Sequence, residues 1–377
     1  MKEYIKKIFN SIIHGSVKKK ILTSVLVLLY LFIVLICVIP VQVSSTSPGS
    51  ITPVSNVIEI ENADTSYRKR IYTVSVYSKT KASILEYLIA KLDKNTDIEI
   101  DKREDTIYTV NEENKIDVIA KDQSIQDAII TAYSTALSNG YDVNLDYTYK
   151  GIRVACVPVN YLKTGPESLQ IGDIITEINN VKINNLDQFK EFLKDIRLQC
   201  DENKEIKTVT VKVLRDNNEL LLDKCNINGL LILEAYLKVY DNNPPEYIFY
   251  EYYNIDTTTA NPKFSINKAY SSGPSGGLIQ TLYVYETITN NSLVKDKYVL
   301  GTGTISRNGK VGAIGGVCQK VLTANYYGCD YFLVPAENYD EALTQYNKIK
   351  DPSYKLIKIT SFNDAIDALK EVNEWDI

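Results

Sequence analysis

The nineteen residues from Ile21 to Ile39 carry no charge and are nearly all Leu, Val and Ile. At about 1.5 Å per residue such a helix approaches the roughly 30 Å hydrocarbon core of a bilayer. A membrane-spanning helix, bounded here as 21–41, is the expectation. Before it stand Lys2, Lys6, Lys7, Lys18, Lys19 and Lys20 against a single acid, Glu3, and no Lys or Arg follows until Arg68. That asymmetry places the tail 1–20 in the cytoplasm and the bulk of the chain on the far side of the cell membrane. A cleaved signal peptide is the competing reading. Its apolar core usually runs only about 7–15 residues and ends at a small-x-small site, whereas Pro40-Val41-Gln42-Val43 follows here. An uncleaved single-pass anchor fits better.

The anchor restricts the chemistry. The chain has one histidine, His14, which lies before the apolar run. If the run spans, His14 and every serine beyond it occupy different compartments, so a Ser-His-Asp triad and an H-E-x-x-H zinc site are both excluded. The tail carries +5 of a whole-chain net charge of −5, which leaves −10 for the remainder. Nucleic acid is not expected as a partner, because phosphate contacts demand surplus Lys and Arg. Cys156, Cys200, Cys225, Cys318 and Cys329 lie beyond the anchor, an odd number without C-x-x-C spacing. They read neither as a disulfide framework nor as a metal site.

About 335 residues beyond the anchor exceed one compact core and imply two domains with a linker. The linker is placed at 42–56, where Ser44-Ser45-Thr46-Ser47-Pro48-Gly49-Ser50 is polar and lacks a hydrophobic period. Ile71 to Tyr77 then reads as a strand, Ser83 to Leu92 as a helix using Ile84, Leu85, Leu88 and Ile89, and Ser124 to Ser138 as a helix striped by Ile125, Ala128, Ile129 and Ala132. The acids Asp101 and Glu104, like Asp364 and Asp367, read as solvated or helix-start residues.

From Lys150 the pattern changes. Gly151 to Val159 reads as a strand, Gly172-Asp173-Ile174-Ile175 as a turn entering another, Asn179-Asn180 as a β-turn and Leu186 to Ile196 as a helix. Val209 to Arg215 and Glu219 to Leu222 form a hairpin across Asp216-Asn217-Asn218. The order resembles a PDZ domain, here 149–228. That resemblance implies a peptide-binding loop, for which Gly151, Ile152 and Arg153 are the candidates although they depart from the usual Gly-Leu-Gly-Phe-like form, and capture of a peptide by strand addition. A small α/β module that only braces its neighbours is the alternative.

Toward the carboxyl end, Gly273-Pro274-Ser275-Gly276-Gly277 precedes the apolar-striped helix Leu278 to Ile288. A serine at a helix start faces free backbone N–H groups, where an oxyanion can be held. Val299 to Ile305, a turn at Arg307-Asn308-Gly309-Lys310 and Val311 to Gly316 make a hairpin with an Asn-Gly signal. A helix bearing Lys320 and Ala324 and the strand Tyr331 to Val334 follow.

This constellation resembles the proteolytic domain of Lon proteases, most closely the membrane-anchored bacterial subgroup that pairs it with a PDZ domain and no ATPase. The likeness rests on the Gly-Pro-Ser turn, on Gly315-Gly316-Val317-Cys318-Gln319-Lys320, on Gly301-Thr302-Gly303-Thr304-Ile305 and on Val334-Pro335-Ala336-Glu337-Asn338, about 100 residues in all. Two departures are Gly276 in place of the family's alanine and Asn325-Tyr326-Tyr327-Gly328 in place of an Ala-x-x-Ala-Gly run. The resemblance implies a mixed α/β (α+β) fold of the ribosomal S5 domain 2-like kind, with Ser275 as nucleophile, Lys320 as base, and Thr302, Gly273 and Gly276 in support. It also implies no metal or other cofactor, and a domain split into 57–148 and 229–377 around the inserted module, a tolerated arrangement because domain termini often lie close together. Protein or peptide substrates are the implied partners; self-association is left open.

A lysine acts as base only when neutral, so its pKa must fall from about 10.4 toward 7 or 8, which burial can supply. Val317, Val321 and Leu322 are suitable apolar neighbours for that burial. An isolated serine would by default be a helix cap and an isolated lysine a surface cation; the ordered glycine turns around both favour the dyad. Cys318 lacks a histidine partner and reads as a buried thiol. The G-x-x-x-x-G-K-[ST] pattern does not occur in this sequence, so flexible segments, misfolded chains or specific membrane-adjacent proteins are the expected substrates. Two rivals are a catalytically silent peptide-binding scaffold and self-release by cleavage within Ser44 to Ser50.

Overall fold

The computed structural model describes residues 3, 16–61, 63, 70–79, 81–100, 110–155, 168–203, 208–226, 249–267, 273–290 and 293–375. Packing divides the chain into two units, Met1–Gly49 with Val76–Asp105, and Ser50–Ser75 with Thr106–Ile377. The first stretch of chain holds α1 (Val17–Val38), β1 (Val43–Pro53), β2 (Ile58–Ile60), β3 (Ile71–Lys79), α2 (Ile84–Leu92) and β4 (Asp97–Ile100). The units part within β1 and within β3.

In the first unit, α1 is long and apolar enough to cross a membrane. None of its residues is buried, which a core helix of this composition would require. Residues 42–56, expected as a linker, are corrected by the structure: Val43–Pro53 is a strand, paired antiparallel with β4 from Val43↔Ile100 to Thr46↔Asp97. All eleven residues of β1 are half-buried, so no in-out alternation marks it in the sequence. Pro48 lies beyond the four paired positions, where its missing N–H breaks no bond to β4. Self-release by cutting at Ser44 to Ser50 loses the flexible segment it needed. Helix α2 opens with a capping box in which Ser83 and Glu86 bond each other's backbone.

The second unit continues with α3 (Val110–Ser138), β5 (Asn144–Val154), β6 (Ile174–Ile178), β7 (Val181–Lys182), α4 (Leu186–Asn203), β8 (Thr208–Arg215) and β9 (Asn218–Asn226). It then holds β10 (Phe249–Asn261), β11 (Phe264–Ile266), a 3-10 turn (Pro274–Gly276), α5 (Gly277–Ile288), β12 (Val299–Gly301), β13 (Thr304–Ile305) and β14 (Val311–Gly312). It closes with α6 (Val317–Tyr327), β15 (Tyr331–Pro335), α7 (Tyr339–Tyr346), β16 (Lys355–Ile359) and α8 (Phe362–Trp375).

Strands β16, β15, β12 and β3 lie side by side and parallel, with β1 next in order. Their alternation feeds two cores. Ile71, Val299, Tyr331 and Leu333 join Ile125, Ala128, Ile129 and Ala132 of α3, Leu278, Ile279 and Leu282 of α5 and Phe362 of α8 in one cluster. Val74, Leu300, Phe332 and Val334 join Val317, Val321 and Ala324 of α6 in another. Every residue of α5 is buried, the polar Gln280, Thr281, Glu286 and Thr287 included. Each large aliphatic side chain in it contributes about 1.5–3 kcal/mol. Helix α3 starts at Val110, well before the predicted Ser124.

A second sheet has the order β10-β5-β6-β8-β9 and, with α4, encloses its own core around Ile152, Ile175, Phe189, Leu193 and Val211. Asp173 is 1% exposed and takes a bidentate pair from Arg215, Nε and Nη2 each at 2.8 Å. The β8–β9 turn needs only Asp216 and Asn217, at φ 50° and 64°, as a two-residue hairpin turn does. The boundary expected at 228 is corrected, since β10 completes this sheet along β5.

Candidate active site

Pro274 sets the start of the 3-10 turn that carries Ser275, and α5 follows without a break. The turn is held from three sides. Ser124 Oγ of α3 donates to the Pro274 carbonyl at 2.9 Å, and Gly303 N–H donates to the Ser275 carbonyl at 2.7 Å. Leu278 N–H returns a bond to the Gly303 carbonyl at 3.0 Å. The segment 299–305, predicted as one strand, breaks at Thr302 and Gly303 into β12 and β13, and that break supplies the contacts. Gly303 has φ 150°, and a Cβ there would meet Val311 Cγ1 at 2.9 Å. At Gly277 a Cβ would meet Ile305 Cγ2 at 2.7 Å and Ser124 Oγ at 2.9 Å.

Lys320 sits in the first turn of α6, behind Gly316, whose φ of 66° favours glycine. Its residue is 3% exposed, and Val317 and Val321 beside it are fully buried; Leu322 is half-buried. Burial lowers the amine from the usual 10.5 to about 8. The partial positive charge of the helix amino end acts in the same direction. Lys320 Nζ donates to Thr302 Oγ1 at 3.1 Å, and Thr302 Oγ1 donates to the Ser275 carbonyl at 3.1 Å. Thr302 is completely buried. Lys320, Thr302 and Ser275 are thus one hydrogen-bonded chain, which Ser275 joins through its backbone.

The direction of that chain has a chemical consequence. Thr302 spends its only proton on the Ser275 carbonyl, so it can only accept from the amine. A neutral amine therefore gives up one N–H to Thr302 and keeps its lone pair.

Other expected residues are placed differently. Gly273 is exposed, with φ −64° and open space where a Cβ would stand, so the turn does not require glycine there. Gly276 is buried at φ −89°. The helix-start amides expected to hold an oxyanion are committed: Gly276 N–H to Gly273 O, Gly277 N–H to Pro274 O and Leu278 N–H to Gly303 O. Cys318, expected as a buried thiol, is half-buried and donates to Glu341 Oε1 at 3.4 Å. Asp101 and Glu104 lie outside the described residues; Asp364 accepts from Thr360 N–H at the start of α8.

The expected peptide-binding loop is overturned. Gly151, Ile152 and Arg153 lie inside β5, between β10 (Tyr252, Glu251, Tyr250) and β6, where Ile152 and Arg153 face Ile175 and Ile174. At Ile152 and Arg153 both edges of β5 are occupied, so no added strand can pair there. Gly151 answers a packing need instead, since a Cβ would stand 2.3 Å from the Ile175 carbonyl oxygen. The Arg153 guanidinium lies over the Tyr252 ring at 3.7 Å. Sequence reasoning missed Ser124, for which no local signal existed; its role depends on a turn 150 residues away.

Residues 249–371 match the Lon protease (S16) C-terminal proteolytic domain. Among similar proteins, Lon protease 2 of Bacillus subtilis (strain 168) is 31% identical over 97 residues, which is 26% of this chain and 16% of that protein. Lon protease of Campylobacter concisus (strain 13826) is 28% identical over 94 residues, 25% of this chain and 11% of that protein. The matched stretch spans less than a fifth of either relative. Residues 249–371, which include Ser275, Thr302 and Lys320, therefore form a Lon-type proteolytic domain, the domain of a serine peptidase.

Proposed function

We propose that this chain is a membrane-anchored endopeptidase that cleaves peptide bonds with Ser275 as nucleophile and neutral Lys320 as general base, acting on protein substrates outside the cytoplasm. The observation that carries the reading is the buried Lys320 amine, tied to the Ser275 turn through Thr302. The amine lone pair takes the Ser275 hydroxyl proton as the oxygen attacks the carbonyl, and the same proton passes to the leaving amine. Water then hydrolyses the ester. This hydrolysis consumes no nucleotide.

We assign the anchor to α1 and the catalytic part to the far side, on the Lys-rich tail that precedes the span. Residues 57–148 supply the early part of the catalytic domain, a reading supported by α3 sharing one core with α5. The sheet β10-β5-β6-β8-β9 with α4 is a PDZ-like module built into that domain.

The test is cleavage of an unstructured protein by the full chain in detergent, beside Ser275→Ala and Lys320→Ala, from pH 6 to 10. Activity restricted to the unmutated chain and rising through a pKa of about 8 is expected. Equal activity in all three would end the assignment.

A further inference from the structure

Helix α2 has one face turned away from protein. Its Ala90 is buried, whereas Leu88, Ile89 and Leu92 are 48%, 58% and 85% exposed. At about 3.6 residues per turn these three side chains project together, roughly opposite Ala90. An apolar face of this kind on a well-capped helix requires an occupant.

The position of α2 identifies the occupant. Ile84 N–H, at the start of α2, donates to the Ile39 carbonyl at 3.1 Å, directly after α1 ends. Val41 N–H donates to Ala82 O at 2.8 Å, and Ala82 N–H donates to Val43 O at 3.0 Å. The amino end of α2 is thus fastened by backbone bonds to the first residues beyond α1, a helix none of whose residues is buried. Where α1 leaves a bilayer, α2 begins. Between Val76 and Ile100 the four lysines, Lys79, Lys81, Lys91 and Lys94, are matched by Glu86, Asp93, Asp97 and Glu99. Charge therefore supplies no net attraction to an anionic surface, and the apolar face alone must do so.

We propose that α2 is an interfacial helix, with Leu88, Ile89 and Leu92 seated in the lipid bilayer at the boundary where α1 emerges. The inference rests on the reading of α1 as a membrane anchor. Its consequence is a second point of membrane attachment that restrains the unit it belongs to, independent of lipid charge.

The experiment uses the full chain in phosphatidylcholine vesicles. With Trp375→Phe removing the chain's one tryptophan, Leu92→Trp places a reporter at the most exposed of the three positions, and Leu88→Trp gives a second. Lipid brominated near the glycerol end of its acyl chains should quench both about twofold or more, since an interfacial helix sits about 5–10 Å deep. Bromines near the bilayer centre should quench less. Two unquenched reporters in a chain that resists carbonate extraction would overturn the inference and leave the anchor standing. Blue-shifted emission that is unquenched and reverts on dilution with excess lipid would assign the face to a second copy and also overturn it. A chain extracted by carbonate would sink the anchor reading itself.

Discussion

Replacing Lys320 with methionine should stabilise the protein while abolishing cleavage. The amine is almost fully buried and burial lowers it from 10.5 to about 8. That interval corresponds to about 3 kcal/mol spent in holding an ammonium ion in the folded state. Methionine is similar in volume and carries no charge. Its cost is the bond Lys320 makes to Thr302 Oγ1, about 1 kcal/mol, so the net gain at pH 7 is about 2 kcal/mol. For a protein of this size the melting temperature should rise by about 2–3 °C. The sign depends on pH. Below about 8 both folded and unfolded lysine are charged and the full penalty is present. Between about 8 and 10.5 the folded protein has released a proton that the unfolded chain retains, so the unmutated protein gains stability relative to the variant as pH rises. Above 10.5 the penalty is gone and the lost bond to Thr302 should leave the methionine variant about 1 kcal/mol less stable than the unmutated protein. Thermal melts of both proteins in the same detergent from pH 6.5 to 11 measure this difference, because all other titrations cancel. A difference that stays flat across that range, or a variant less stable at pH 7, would refute the account of Lys320 as a buried, deprotonation-prone amine.

Thr302→Val removes the amine's acceptor and one donor to the Ser275 carbonyl; cleavage should fall about 100-fold through misplacement of the base, and Thr302→Ser should restore most of it. Ser124→Ala frees the Pro274 carbonyl; kcat should drop about tenfold with KM nearly unchanged, matching the loss of a bond worth about 1–1.5 kcal/mol. Asp173→Ala strands Arg215 without its bidentate partner and should destabilise the protein by about 3–5 kcal/mol in urea unfolding.

What could be read from the chain was local. The Gly-Pro-Ser turn, the glycine before α6 and the lysine one helical turn later each depend on neighbours within a few residues, and the structure places them in one site. What could not be read was set by partners distant in sequence. Strand β1 is polar and half-buried throughout, so its composition resembles a linker until β3 and β4 flank it. The stretch Gly151 to Arg153 looked like a binding loop because its strand partner, Tyr250 to Tyr252, lies about a hundred residues later. The break at Thr302 and Gly303 follows a glycine signal within 299–305, but its cause is distant, since Gly303 N–H and Thr302 Oγ1 both bond the Ser275 carbonyl.

Long-range partners likewise tie the Ser275 turn and the second sheet to one helix, α3. Near the middle of α3, Gln123 and Gln126 bond the free edge of β10, accepting from Tyr253 N–H and donating to the carbonyls of Glu251 and Tyr253. An uncovered strand edge would invite pairing with other chains; the glutamines close it. Between those two residues Ser124 holds the Pro274 carbonyl, and just after them Asp127 faces Arg307, which pairs with Glu251 and lies over the Tyr253 ring at 3.9 Å. Glu251 in turn accepts from Leu186 N–H at the start of α4, at 2.7 Å. A shift of α4 or β10 therefore cannot leave α3 unmoved without breaking buried polar bonds, each expensive to abandon. Since α3 also fixes the Pro274 carbonyl beside Ser275, the position of Ser275 is constrained by the second sheet as well as by its own turn.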